Sequence, residues 1–211
     1  MKIRNLIIIF VVLIFLNGCN IFENKSTSSS MMLIGSITGT DLQGNDGSTT
    51  IFSDVFISGG GSGSSEQDGT VINDNAVIEI GCTTIAPSST QPTSYYNDIV
   101  IEQIKVEYSR PDGRNVEGVD VPLTFTQPVN FRLKAPEIDK NGVVIDYYNI
   151  PFIIVRHVAK MEPPLRDLKE LGAEKVLQLI AKITVYGKDG GGRDVEPASG
   201  SVSVWCANFA D

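Results

Sequence analysis

The sequence IVIEQIKVEY at residues 99–108 decides the fold class of this chain. Its apolar side chains alternate in one phase up to Ile101 and in the opposite phase from Ile104 onward. Alternation with a period of two is typical of a β-strand that buries one face. A change of phase inside such a strand indicates a β-bulge, which we expect near Glu102-Gln103.

The same alternation recurs on both sides of this strand. Apolar and polar residues alternate within 77–85, 121–133, 143–158, 179–185 and 202–206. Pro111-Asp112-Gly113 is a turn signal, because proline presets φ and glycine accepts a positive φ. Pro122 and Pro128 confine their segment to an edge strand or a broken strand. Six or seven short strands predict an all-β protein, an antiparallel β-sandwich of immunoglobulin-like or fibronectin-like topology, with a closed barrel as the alternative.

One short helix is expected near residues 164–171. Three leucines recur at a spacing of three between a proline pair and a glycine (Pro163, Pro164, Leu165, Leu168, Leu171, Gly172). Proline at the start and glycine at the end favour a short helical turn.

The β-sandwich domain is expected to span residues 71–211, preceded by an edge strand and a loop within 51–70. The segment 51–57 alternates like an edge strand, and 59–65 reads GGGSGSS. This glycine stretch lacks the lysine of a phosphate-binding loop, and no amphipathic helix follows it, so we interpret it as a linker.

The N-terminal residues 1–18 have the layout of an export signal. Lys2 and Arg4 precede an apolar run, 6–16, which is shorter than the roughly twenty residues that a membrane-spanning helix needs. Leu16-Asn17-Gly18-Cys19 resembles the lipobox of bacterial lipoproteins. The resemblance implies cleavage before Cys19 and acylation of its sulfur by fatty acids such as palmitate.

Two other interpretations of this leader are weaker. An uncleaved membrane helix would be short and would end abruptly at Asn17-Gly18. Ordinary secretory cleavage would need an Ala-x-Ala-like site, which is not found at the right place. Asn20 is not aspartate, which by resemblance to enterobacterial sorting favours the outer membrane over the inner membrane.

Residues 19–50 are expected to form a flexible tether, because they are rich in serine, glycine, threonine and asparagine. Without residues 1–18 the chain keeps 15 basic and 25 acidic residues, a net charge of −10. Such a balance argues against nucleic acid as a partner, since nucleic-acid binding requires basic stripes. Membrane attachment is therefore expected through the N-terminal lipid.

Four segments together resemble a set of uncharacterised bacterial exported lipoproteins. They read VEYSRPDGRNVEGVDVPLTF (106–125), IIVRHVAKMEPPL (153–165), AKITVYGKDGGGRDV (181–195) and SGSVSVWCANFAD (199–211). The likeness covers roughly residues 75–211. It implies an exported β-domain and carries no assigned activity.

Cys82 and Cys206 are the one pair that a disulfide could join if Cys19 is acylated. Export permits oxidation, and both cysteines lie in the inward phase of their strands. The alternative is a pair of buried thiols that pack as small hydrophobic residues. The sequence leaves both open.

Catalytic and metal-binding patterns are weak. His157 is the only histidine and lies in an expected strand, so any Ser-His-Asp triad would have to use it. The chain contains no GxSxG motif to supply the nucleophilic serine. The loops 41–47 and 189–194 only partly match calcium-binding spacing. We therefore predict no enzyme, no cofactor and no metal site.

Exposed aromatic residues are the remaining indication of function. Trp205 lies in the phase opposite Val204 and Cys206, while Tyr95-Tyr96 and Tyr147-Tyr148 lie near turns. Aromatic side chains bind sugars and proteins, although a tryptophan on an outer face is often covered by its own chain. The sequence predicts a non-enzymatic envelope module that binds protein or glycan through Trp205. The alternative is a structural or accessory subunit of a larger envelope assembly.

Overall fold

The computed structural model describes residues 28–41, 45–56, 70–85, 94–139, 142–171 and 174–209. These residues form eleven strands: β1 Ser30–Thr40, β2 Asp46–Ser48, β3 Thr50–Asp54, β4 Asp74–Thr84, β5 Ile99–Ser109, β6 Phe125–Leu133, β7 Glu137–Asp139, β8 Gly142–Val144, β9 Tyr147–Val155, β10 Leu177–Asp189 and β11 Ala198–Ala207. The predicted signal peptide and Cys19 lie outside the described residues, as does the glycine stretch 59–65.

Two sheets pack face to face and confirm the all-β sandwich. One has the order β2-β1-β4-β9, and the other has the order β3-β11-β10-β5-β6. Pairing is antiparallel except between β3 and β11, which run parallel. The hairpin β7-β8 stands apart from both sheets. The immunoglobulin-like topology stays a prediction.

The core is the single apolar layer between the two sheets. Isoleucines of β4 (Ile78, Ile80), β5 (Ile101, Ile104) and β10 (Ile183) are fully buried. Branched side chains pack well on pleated strands. The bulge predicted in β5 is confirmed, because the register with both neighbouring strands shifts at this point.

The edge strands also follow the sequence signals. β3 is an outermost strand, as predicted for the segment 51–57. β6 is outermost as well, so Pro128 does not interrupt the centre of a sheet. The turn at residues 110–113 closes with a hydrogen bond from Gly113 N to Arg110 O, and Gly113 has a φ of 82°.

The domain begins earlier than the sequence predicted. Residues 30–40, predicted as part of the tether, form β1 and pair with β4 along nearly their whole length. A register shift between Ile34 and Ser36 breaks the alternation at Gly35. This irregularity explains why the segment resembled linker: its apolar residues change face halfway.

The helical segments differ in detail from the prediction. The region 164–171 contains a single 3-10 turn at Arg166–Leu168. A separate α-helical turn, α1, spans His157–Lys160 directly after β9. His157 was predicted in a strand and instead begins α1, where Nδ1 lies 3.0 Å from Asn73 Oδ1.

The sandwich has two ends, the entry end and the far end. At the entry end, the described chain begins at Ser28 and Ser30 pairs with Thr84. At the far end lie Asp74, α1 and the last residues of β11. β5 runs between the ends over eleven residues, which corresponds to about 35 Å.

Candidate functional site

Trp205 lies on the outer face of the five-stranded sheet, near the far end. Its neighbours in register are Gln178 on β10 and Phe52 on β3. The Trp205 and Phe52 rings meet edge to face with centroids 5.6 Å apart, and Phe209 meets Phe52 in the same way at 5.8 Å. We call Phe52, Trp205 and Phe209 the aromatic row.

The aromatic row is partly open to solvent. All three rings are of intermediate burial, while Gln178 beside them is exposed. Phe52 comes from β3, which precedes β11 by about 150 residues in the chain, and it covers one edge of the tryptophan. This agrees with the alternative interpretation, in which Trp205 is covered by its own chain. The row therefore offers an apolar surface with an amide next to it, which suits a ligand with both apolar and hydroxyl groups.

A second candidate is an open cleft of about 490 Å³ at the entry end. Its walls carry Tyr95 and Tyr148 together with charged side chains, and its lining residues are Ser94, Tyr95, Asp98, Arg132, Lys134, Ala135, Glu137 and Tyr148. Three separate segments contribute to the cleft (94–98, 132–137 and Tyr148), so sequence spacing alone could not assemble it.

The cleft is fixed by the buried carboxylate of Asp98. Arg132 Nε donates to Asp98 Oδ2 over 2.7 Å, and the backbone N–H of Ala135 donates to Oδ1 over 2.7 Å. The Arg132 guanidinium also lies 4.5 Å from the centroid of the Tyr95 ring, which favours a cation–π interaction. Asp98 thus orders both Arg132 and the adjoining tyrosine.

Gly190 supports this arrangement from the β10–β11 hairpin. Its N–H donates to Asp98 O over 2.9 Å. A Cβ at this position would overlap the carbonyl oxygen of Tyr95. Tyr95 begins a 3-10 turn that spans Tyr95–Asn97, and only glycine permits the hairpin to approach this turn so closely.

The two cysteines do not form a disulfide. Both are free, buried thiols, and they lie at opposite ends of the sandwich. Cys82 Sγ lies 3.4 Å from Asn97 O at the entry end, whereas Cys206 pairs with Leu177 at the far end. Burial raises the pKa of each thiol to about 12. The interpretation as small buried hydrophobic residues therefore fits the structure.

A buried ion pair at the far end was not predictable from local sequence patterns. Lys160 Nζ donates to Asp74 Oδ1 over 2.8 Å and to Asp54 O over 2.7 Å, and its side chain is 0% exposed. Burial raises the pKa of Asp74, although Lys160 opposes that rise. Because the ammonium is enclosed by protein, it is placed to join α1 to β4 and β3.

Of the two loops considered for calcium, the one at 189–194 is held by internal contacts. Asp189 accepts backbone hydrogen bonds from Gly191 and Arg193 and pairs with the Arg193 side chain over 2.7 Å. Part of the loop 41–47 lies outside the described residues. Within the described ranges, no group of three or more histidine, cysteine, aspartate or glutamate side chains could hold a metal ion.

No protein-family model matches this chain, and no curated protein matches it at a significant level. None of the helices in the described part of the chain is both long and apolar enough to cross a bilayer.

Proposed function

We propose that this chain is a bacterial lipoprotein, anchored through Cys19, whose β-sandwich is a non-enzymatic binding module of the cell envelope. The aromatic row is the surface that takes the partner, a glycan or a protein. The observation that carries this proposal is the edge-to-face contact of Trp205 with Phe52 on an outer sheet face. Partly exposed aromatic rings held by rigid strands provide binding area at little entropic cost.

The position of the aromatic row also supports its role as the partner-binding surface. It lies near the far end, away from Ser28, where the chain enters the domain. β5 spans about 35 Å between the two ends. A lipid at Cys19 therefore leaves the aromatic row on the side of the domain that points away from the membrane.

The anchor is tested by metabolic labelling with palmitate. The wild-type chain should incorporate the label and fractionate with outer membranes, and Cys19→Ser should lose both the label and the processing. An unlabelled wild-type product would contradict the anchor.

The binding surface is tested separately with purified protein that lacks the leader. Glycan-array binding and crosslinking to envelope extracts should be lost in Trp205→Ala. The matched control is Tyr96→Ala, which removes an exposed aromatic residue at the entry end. Equal binding by both variants would reject the aromatic row as the recognition surface.

A further inference from the structure

The distance from Cys19 to the domain limits where the domain can lie. Only nine residue steps separate Cys19 from Ser28, which is about 30 Å at full extension. Ser28 is at the entry end, where Ser30 Oγ donates to Asn97 O over 2.7 Å and Asn97 Nδ2 donates to Ser29 Oγ over 3.2 Å. If the proposed anchor is correct, the entry end faces the membrane at short range.

The entry end carries exposed apolar and tyrosine side chains in a setting that suits a bilayer surface. Tyr95 is 58% exposed, Tyr96 64% and Ile85 65%. Val143, Val144 and Tyr147 are exposed nearby, on and next to the β7-β8 hairpin. Tyrosine is enriched where membranes meet water, because its ring is apolar and its hydroxyl is wet. We call these six residues the entry-end surface.

The cleft adds cations beside these tyrosines. Arg132 and Lys134 line it together with Tyr95 and Tyr148, so a phosphate group of a phospholipid could lie between them. Glu137 lines the same cleft and Asp98 already pairs with Arg132. Because the cleft carries charges of both signs, it favours binding to zwitterionic headgroups over binding to anionic lipid by charge alone.

We propose that the entry-end surface rests on the phospholipid membrane, with its tyrosines in the headgroup layer and the cleft against headgroup phosphates. Apolar exposure alone does not select this end, because Val116, Val119 and Met161 are exposed at the far end. The entry end is selected because the short segment from the proposed anchor at Cys19 joins the domain there, at Ser28. Two contacts with the bilayer, lipid and protein, hold more firmly than one.

The test couples the mature chain through Cys19 to a maleimide phospholipid in phosphatidylcholine vesicles. Cys82 and Cys206 are buried, so the reaction is selective for Cys19. Brominated lipids, which quench indole at short range, report contact. The probe is Tyr95→Trp in a Trp205→Phe background, with Tyr147→Trp as a second probe if the first does not fold. The native chain, with its single tryptophan at the far end, is the matched control.

We expect the probe at Tyr95 or Tyr147 to lose most of its emission and native Trp205 to lose little. Lys134→Gln combined with Tyr96→Ser should reduce the quenching of the Tyr95→Trp probe. The proposal would be overturned if brominated lipid did not quench the probe, or if it quenched the tryptophans at both ends equally. It would also be overturned if the emission of the probe changed only when an envelope protein was added. Because the anchor is supplied chemically, a failure of palmitate labelling in cells would contradict the lipoprotein proposal and leave this result intact.

Discussion

Lys160 and Asp74 form an ion pair inside the far end of the sandwich, with 2.8 Å between Nζ and Oδ1. The lysine belongs to α1 and the aspartate begins β4, so the pair fastens the turn after β9 to the strand beside it. A buried pair costs desolvation when it forms, but losing one member leaves the other charge uncompensated.

Lys160→Met should therefore destabilise the domain by about 3–5 kcal/mol, because the Asp74 carboxylate would lose its cation. Urea unfolding followed by circular dichroism measures this change. A double variant, Lys160→Met with Asp74→Leu, should recover much of the loss. The control is Lys105→Gln, which breaks a partly exposed pair with Glu107 and should change stability little. A small effect of Lys160→Met would show that the pair is not held as described.

Tyr108 links the two sheets by a hydrogen bond. Its hydroxyl, on β5, donates to the carbonyl oxygen of Ile154 on β9, and the ring is buried. Tyr108→Phe should cost about 1–2 kcal/mol, because the Ile154 carbonyl would remain buried without this donor. Chemical unfolding measures the loss, and Tyr96→Phe, at an exposed tyrosine, should leave the midpoint unchanged. Equal midpoints for both variants would contradict the prediction.

Strands with long alternating stretches could be predicted from sequence, and β5 is among them although its phase changes at the bulge. The β5 bulge was found because long alternating stretches flank it. β1 was missed because its shift at Gly35 leaves short apolar runs that resemble linker. Lys160 was missed for a different reason, since no local pattern distinguishes a buried lysine from an exposed one.

The candidate site also combines features that the sequence predicts with features that it does not. The outward phase of Trp205 follows from alternation alone. Its contact with Phe52 depends on the parallel pairing of β3 with β11, a long-range relation that periodicity does not encode. The two cysteines have the same inward phase but lie at opposite ends of the sandwich. Alternation predicts which face of a sheet a side chain occupies, and it does not predict at which end of the sandwich that side chain lies.

The buried thiols should be inert in the folded protein. The pKa of Cys82 and of Cys206 is raised to about 12, first by burial and then by the nearby charges of Asp98 and Asp74 respectively. Thiolate, the reactive form, is therefore scarce at pH 8. In a Cys19→Ser chain, Ellman's reagent should detect no thiol under native conditions and both thiols in guanidinium. Rapid native labelling, or two missing thiols after denaturation, would contradict this assignment.

Asp112 should titrate far below an ordinary aspartate. Hydrogen bonds from the Arg110 side chain, reinforced by Arg114, lower its pKa from 3.8 to about 2. A lowered pKa means that the folded state prefers the carboxylate. The contribution of Asp112 to stability is therefore complete above pH 3.8 and is lost as the pH falls through about 2.

Carbon-13 NMR of the Asp112 carboxyl group would measure this titration directly. Arg110→Gln should move the midpoint upward toward 3.8, because it removes the strongest of the interactions that favour the charged form. Arg166→Gln is the matched control, since it removes an exposed arginine that pairs with Asp167 instead. A native midpoint near 3.8, unchanged in Arg110→Gln, would show that the turn at 110–113 does not hold its arginine against Asp112 in solution.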